Sequence, residues 1–234
     1  MHHNYLNIFY QKNTFQIFQA LSQQRQCGNQ VNALGGCKPD HATKNRSSNF
    51  LPLNPTSLVR DFNDNGNAET GTKVTLVDDV PQYWVDDKTA SYGKMVVECT
   101  PLRKANSEGL ITRKMSVRHE NSTSAVNVDH YNVPEWSSSE SRMSELLDVT
   151  GKVQTLLKAK KRVALVSVDG SSRCGVIASV STELGRVKED GVVDLFQTVL
   201  KLRRRRPDII KTQEEYNFCH TLLQAALQAW RDDF

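Results

Sequence analysis

No apolar run in the 234-residue chain approaches the roughly 18–20 residues that a membrane-spanning helix requires. The opening MHHNYLNIFYQKN has no basic head followed by an apolar core, so no secretory signal peptide is expected. Cysteine is sparse and scattered. Cys27, Cys37, Cys99, Cys174 and Cys219 are odd in number and form no close pair, which speaks against a disulfide framework and a zinc site and for a reducing compartment. The net charge of +4 is too mild to imply nucleic acid as a partner. There is no internal repeat, and neither a cofactor nor a metal is expected. With 38% hydrophobic and 24% charged residues, the composition is that of a soluble globular protein, long enough for one α/β domain.

The most informative stretch is Arg162–Gly175, RVALVSVDGSSRCG. Arg162–Val168 is nearly continuous aliphatic and β-branched residue, which suits a central strand covered on both faces. Asp169, Gly170, Ser171 and Ser172 favour a turn. Val176, Ile177, Val180, Leu184 and Val187 then recur at helical spacing. A strand–loop–helix unit of this kind aims successive backbone N–H groups at one point in front of a helix N-terminus, a geometry that binds oxyanions. By itself the pattern is weak, because many such units in α/β proteins hold nothing.

Around this stretch the chain divides as follows. Residues 1–40 are rich in Gln and Asn and read as a linker with a short helix carrying Ile8, Phe15, Phe18 and Leu21. Residues 60–71 read as loop. Strands are expected at Lys94–Glu98, Leu110–Arg118 and Ala125–Tyr131, the last two in an antiparallel portion. Tyr83, Trp84 and Tyr92 are expected in the core rather than in a binding site. An amphipathic helix is expected over Ser139–Lys160, with Met143, Leu146, Leu147, Val153, Leu156 and Leu157 on its stripe. Val193–Arg205 reads as another, with Phe196, Val199 and Leu200 inward and the basic run Arg203–Arg206 solvated at its end. The last helix opens with Thr212 and Glu215 at capping-box spacing and carries Cys219, Leu222, Leu223, Ala226, Leu227 and Trp230 on one stripe.

The run Val187–Leu227, VKEDGVVDLFQTVLKLRRRRPDIIKTQEEYNFCHTLLQAAL, resembles the C-terminal part of classical protein-tyrosine phosphatase domains. It is most similar to the membrane-distal second domain of receptor-type tyrosine phosphatases of the alpha/epsilon type. In that register SVDGSSRCG falls on the family's signature loop, His-Cys-x5-Arg-Ser/Thr-Gly. Arg173 matches the phosphate-binding arginine and Gly175 the glycine, while Ser167 stands at the nucleophilic cysteine and Val166 at the histidine. Lys44–Arg46 resembles the loop that recognises phosphotyrosine, with Ser47 where an aromatic stacks on the substrate ring. Asn132–Glu140 falls on the mobile Trp-Pro-Asp loop, with Val133 at the aromatic hinge and Glu135 at the general acid. Lys211 and Glu215 replace two glutamines, the first of which orients the hydrolytic water.

The resemblance implies an α/β fold, a phosphatase-like twisted mixed β-sheet flanked by helices, over residues 41–234. Part of the usual N-terminal sheet region is missing at the 60–71 gap, and Lys73–Val77, KVTLV, resembles the family's next strand. It implies a cytoplasmic domain whose partners are a catalytic tyrosine-phosphatase domain in cis or trans and phosphotyrosine proteins. The substrate-binding positions it designates are Gly170, Ser171, Ser172, Cys174 and Gly175 in the loop, with Ser47 and Lys211 as degenerate ones.

The chemistry at these positions points away from turnover. A phosphatase of this kind needs a thiolate whose pKa is lowered by the loop amides, the helix dipole and the arginine. A hydroxyl at Ser167 ionises far higher and has no neighbouring histidine to act as base. Asp169 puts a negative charge in the cradle itself. Cys174 lies beyond the arginine and reads as a small buried side chain. A catalytically impaired, pseudophosphatase domain with a binding or regulatory role is therefore expected. A weakly active phosphatase and a non-enzymatic receptor fragment are the alternatives.

Overall fold

A computed structural model describes residues 71–75, 84–85, 88–100, 103–104, 110–134, 136 and 142–232. The expected helix and linker of residues 1–40, and Lys44–Arg46 with Ser47, lie outside the described residues, as do residues 60–70 and Tyr83. The chain divides into two compact units, residues 60–168 and residues 1–59 with 169–234.

Among the described residues, the first unit is built on one seven-stranded sheet. Its strands are β1 (Gly71–Thr75), β2 (Thr89–Tyr92), β3 (Met95–Cys99), β4 (Arg103–Lys104), β5 (Ile111–His119), β6 (Ala125–Asn132) and β7 (Arg162–Val166). The order is β2-β3-β5-β6-β1-β7, with β4 paired to β5. From β2 to β6 the pairs are antiparallel, and β1 runs parallel to both β6 and β7. A tight turn joins β2 to β3, and Gly93 supplies its left-handed residue at φ 59°.

Alternation along the strands places Trp84, Cys99 and Met115 in a buried cluster with Val97 and Val128. On this sheet the Arg113 guanidinium carbon lies 4.9 Å from the Trp84 ring centroid, and the buried His130 ring is also 4.9 Å from it. Trp84 is thus a core residue, as expected. Tyr92 is not: it is 41% exposed, at the end of a strand that among the described residues has a neighbour on one side only. β7 departs from expectation in the same way. It ends the strand order, and Arg162 and Ala164 are exposed, so it is an edge strand among the described residues rather than one covered on both faces.

Helix α1 (Met143–Lys158) packs on β7. It begins at Arg142 in the left-handed region at φ 67°, with Arg142 Nη1 donating to Glu145 Oε1 at 3.3 Å. Its buried face is Leu146, Val149, Thr150, Val153 and Gln154. Leu157, expected on the apolar stripe, is 44% exposed in the last turn.

The described part of the second unit is helical: α2 (Ser172–Asp190), α3 (Leu195–Arg203) and α4 (Gln213–Asp232). α2 contacts both of the others, and it is buried on most of its circumference in its first three turns. Within that interior Glu183 is fully buried. Its carboxylate accepts from the Asp194 amide and the Thr198 hydroxyl, and Arg186 lies 3.8 Å from it while donating to Thr198 Oγ1 at 3.0 Å. Asp194 in turn caps α3 by accepting from the Gln197 amide at 3.0 Å. A buried charge with all these donors fixes α3 against α2.

Candidate functional site

The signature segment begins where β7 ends. Ser167 follows the strand and is buried at 3% exposure, and Val168 beside it is exposed. The loop that comes next, Asp169–Ser171, has an Asx-type geometry that its sequence favours. The Asp169 Oδ1 atom accepts from the Ser171 amide at 2.8 Å and the Ser172 amide at 3.0 Å. Its Oδ2 atom accepts from the Ser172 hydroxyl at 2.6 Å and from Lys211 Nζ at 3.2 Å. Gly170 sits at φ 61°, and a Cβ there would lie 3.2 Å from Arg206 Nη2. That guanidinium donates to the Asp169 carbonyl at 3.1 Å.

The structure therefore brings together Asp169, Gly170, Ser171, Ser172, Arg206 and Lys211. The cradle expected from the Gly170–Ser172 amides is not open: two of those amides end on the carboxylate of Asp169. Burial pushes that carboxyl up, but the Ser172 hydroxyl, the Ser171 and Ser172 amides and Lys211 together outweigh it and hold the group at about 2.

Arg173 lies on the first turn of α2 and is partly buried, and Cys174 is buried at 6% exposure, as its reading as a small buried side chain requires. Gly175 is a packing residue: a Cβ on it would meet Ile209 Cγ2 at 3.0 Å and the Ile210 backbone nitrogen at 3.3 Å.

The far side of the site is set by the segment after α3, and here the sequence misled. Of the four arginines expected in solvent, Arg204 and Arg205 are exposed, but Arg203 is buried at 8% exposure. Its Nε donates to the Ile209 carbonyl at 3.0 Å and its Nη2 to the Ile210 carbonyl. Ile210 is fully buried at φ 54°, a left-handed conformation that a β-branched residue rarely adopts. The next residue, Lys211, has its amide bound to Glu215 Oε2 at 2.6 Å. The same carboxylate accepts from the Thr212 amide at 3.3 Å, and the Glu215 amide donates to Thr212 Oγ1 at 3.2 Å, which completes the expected capping box. Arg203 and this box together hold Lys211 where it meets Asp169. A signal for Arg203 existed: Leu195, Val199 and Arg203 are successive i, i+4 positions, so the arginine continues the buried stripe of α3.

Glu135 and Ser47 lie outside the described residues. On either side of Glu135, Val133 and Trp136 are buried at 0% and 4% exposure.

The catalytic domain of human protein tyrosine phosphatase non-receptor type 18 superimposes with a TM-score of 0.78 at 16% identity, covering 94% of this chain and 98% of that one. Human receptor-type tyrosine-protein phosphatase alpha is 28% identical over 159 residues, which are 64% of this chain and 19% of that protein. Chicken (Gallus gallus) receptor-type tyrosine-protein phosphatase S is 32% identical over 152 residues, 63% of this chain and 10% of that protein. The chain thus spans less than a fifth of the length of these relatives. The family profile of the protein-tyrosine phosphatases matches residues 72–225, well over half of the sequence, and the chain belongs to that family.

Proposed function

We propose that this is a catalytically impaired phosphatase domain, a pseudophosphatase, that acts in phosphotyrosine signalling by binding or by regulating a catalytic phosphatase domain in cis or trans. The observation that carries the reading is the Asp169 carboxylate bonded to the amides of Ser171 and Ser172 and to Lys211. A phosphoryl group entering that cradle meets a fixed negative charge, and two unit charges 4 Å apart repel by about 4 kcal/mol near a protein surface. Ser167 adds to this, since a serine hydroxyl ionises far above a thiol and is a poor nucleophile beside a thiolate. The likeness to receptor-type phosphatases supports a cytoplasmic setting.

Hydrolysis of p-nitrophenyl phosphate and of a phosphotyrosyl peptide tests the reading. Turnover at the buffer rate is expected both for the chain and for Ser167→Ala. Hydrolysis by the chain that disappears in Ser167→Ala would establish a weakly active phosphatase instead.

A further inference from the structure

Where α1 ends and β7 begins, the residues Leu157–Arg162, LKAKKR, are exposed one after another. A packed face would alternate buried and exposed positions, so this turn is a projecting corner of its unit. Lys158, Lys160, Lys161 and Arg162 put their charge there. No Asp or Glu occurs between Asp148 and Asp169, and the neighbouring strand β1, GTKVT, carries none. Asp148 is exposed on α1 but lies roughly 15 Å along the helix from Lys158, beyond the screening length of about 8 Å at physiological salt. Local folding does not ask for these lysines. The Lys160 amide donates to the Leu157 carbonyl and the Lys161 amide to the Leu156 carbonyl, both at 2.9 Å, which is a Schellman cap. Such a cap favours glycine at its left-handed residue and an apolar side chain after it. Here the left-handed residue is Lys160, at φ 56°, and the next is the exposed Lys161. The backbone thus carries strain at Lys160 that a glycine would relieve. The helix dipole accounts for a cation in the last turn, Lys158, but Arg162 already belongs to β7. Leu157, 44% exposed, adds an apolar side chain at the same corner.

We propose that this corner is a contact site for an anionic membrane surface, against which the chain lies as a peripheral protein. Exposed residues in unbroken succession make a poor pocket for the side chains of a peptide, whereas a plane of anionic headgroups needs no pocket and meets a projecting cluster of cations together. Four clustered Lys and Arg side chains suffice for such a contact, and each near the surface is worth roughly fivefold in partitioning. The Leu157 side chain enters the boundary between headgroups and acyl chains. The capped turn holds its lysine backbones in place, so binding does not have to order them first.

The test is co-sedimentation of the full 234-residue chain with phosphatidylcholine vesicles, with and without phosphatidylserine, at physiological salt. Binding to the serine-containing vesicles alone is expected, weakening as salt rises. Lys158→Gln/Lys160→Gln/Lys161→Gln is expected to lower partitioning about 100-fold. Lys88→Gln/Lys94→Gln/Lys114→Gln removes the same charge from exposed positions on the side of the sheet away from β7, and is expected to keep partitioning within about threefold. Lys160→Gly supplies the residue the cap favours. It is expected to raise the thermal midpoint while lowering partitioning about fivefold, so that weaker binding cannot be laid to lost folding. Equal losses in the two triple variants would overturn the proposal, since net charge alone would then set the binding. So would equal binding to both kinds of vesicle, or a Lys160→Gly chain that partitions like the parent. Binding of a soluble oligoglutamate peptide that is lost in the first triple variant, with no sedimentation on either vesicle, would also overturn it and assign the corner to an acidic protein segment.

Discussion

Arg203 and Arg204 are adjacent in sequence and opposite in consequence. Arg204 is exposed at the end of α3. Arg203 is buried and donates to the carbonyls of Ile209 and Ile210. Ile210 is itself fully buried, so its carbonyl has no ready access to water once the guanidinium is gone. Leaving a buried acceptor unpaired costs about 1–3 kcal/mol. With two such acceptors, Arg203→Met is expected to lower stability by about 2–4 kcal/mol, against less than about 0.5 kcal/mol for Arg204→Ala. Urea unfolding of both variants measures this, and equal midpoints for the two would refute the structural role given to Arg203. Methionine keeps the apolar stem, so the comparison isolates the lost donors from lost packing.

Helix α4 shows what can be read from a sequence at the scale of an element. Its start is written in local chemistry: Thr212 and Glu215 satisfy each other's amides, and the stripe Cys219, Leu222, Leu223 and Ala226 is buried as its spacing predicts. Thr212→Ala removes the hydroxyl that accepts from the Glu215 amide and is expected to cost about 1 kcal/mol. In a thermal melt this is a fall of about 2–4 °C for a chain of this size. An unchanged midpoint would mean that water replaces the cap at no cost. Elements fixed by distant partners were less legible. β1 (Gly71–Thr75) covers the described part of the expected Lys73–Val77, and its parallel pairing to β6 on one side and β7 on the other is not written in its own pattern. β7 looks like a central strand from its composition, and only the strand order shows it at an edge. In the loop, the sequence reveals an acid among small residues. That Asp169 turns back onto its own amides, and that Lys211 reaches it from 42 positions away, belongs to the fold.

At the scale of the whole molecule, two groups of the helical unit make stability depend on pH in separate windows. His220 stands edge-on to Tyr216 with the ring centroids 5.0 Å apart, and burial pushes its pKa from 6.5 down to about 4. A base with a lowered native pKa binds its proton more readily in the unfolded chain. Its contribution is therefore complete above pH 6.5 and is lost as pH falls towards about 4. Asp169 is an acid whose native value of about 2 lies below the ordinary 3.8, so its contribution is complete above about 3.8 and is lost between there and about 2. At 1.36 kcal/mol for each unit, the first step amounts to about 3–4 kcal/mol, and the second, reduced by solvent screening at the partly exposed carboxylate, to about 1–2 kcal/mol. Unfolding free energy is expected to be flat from about pH 7 to 8, to fall on acidification through the histidine window, and to fall again through the aspartate window. His220→Leu should flatten the upper step and leave the lower one, and Asp169→Ser should do the reverse. Urea titrations at unit intervals from pH 2 to 8 separate the two. An upper step that persists in His220→Leu would assign that loss to other groups, and the buried imidazole would then carry no part of the acid response.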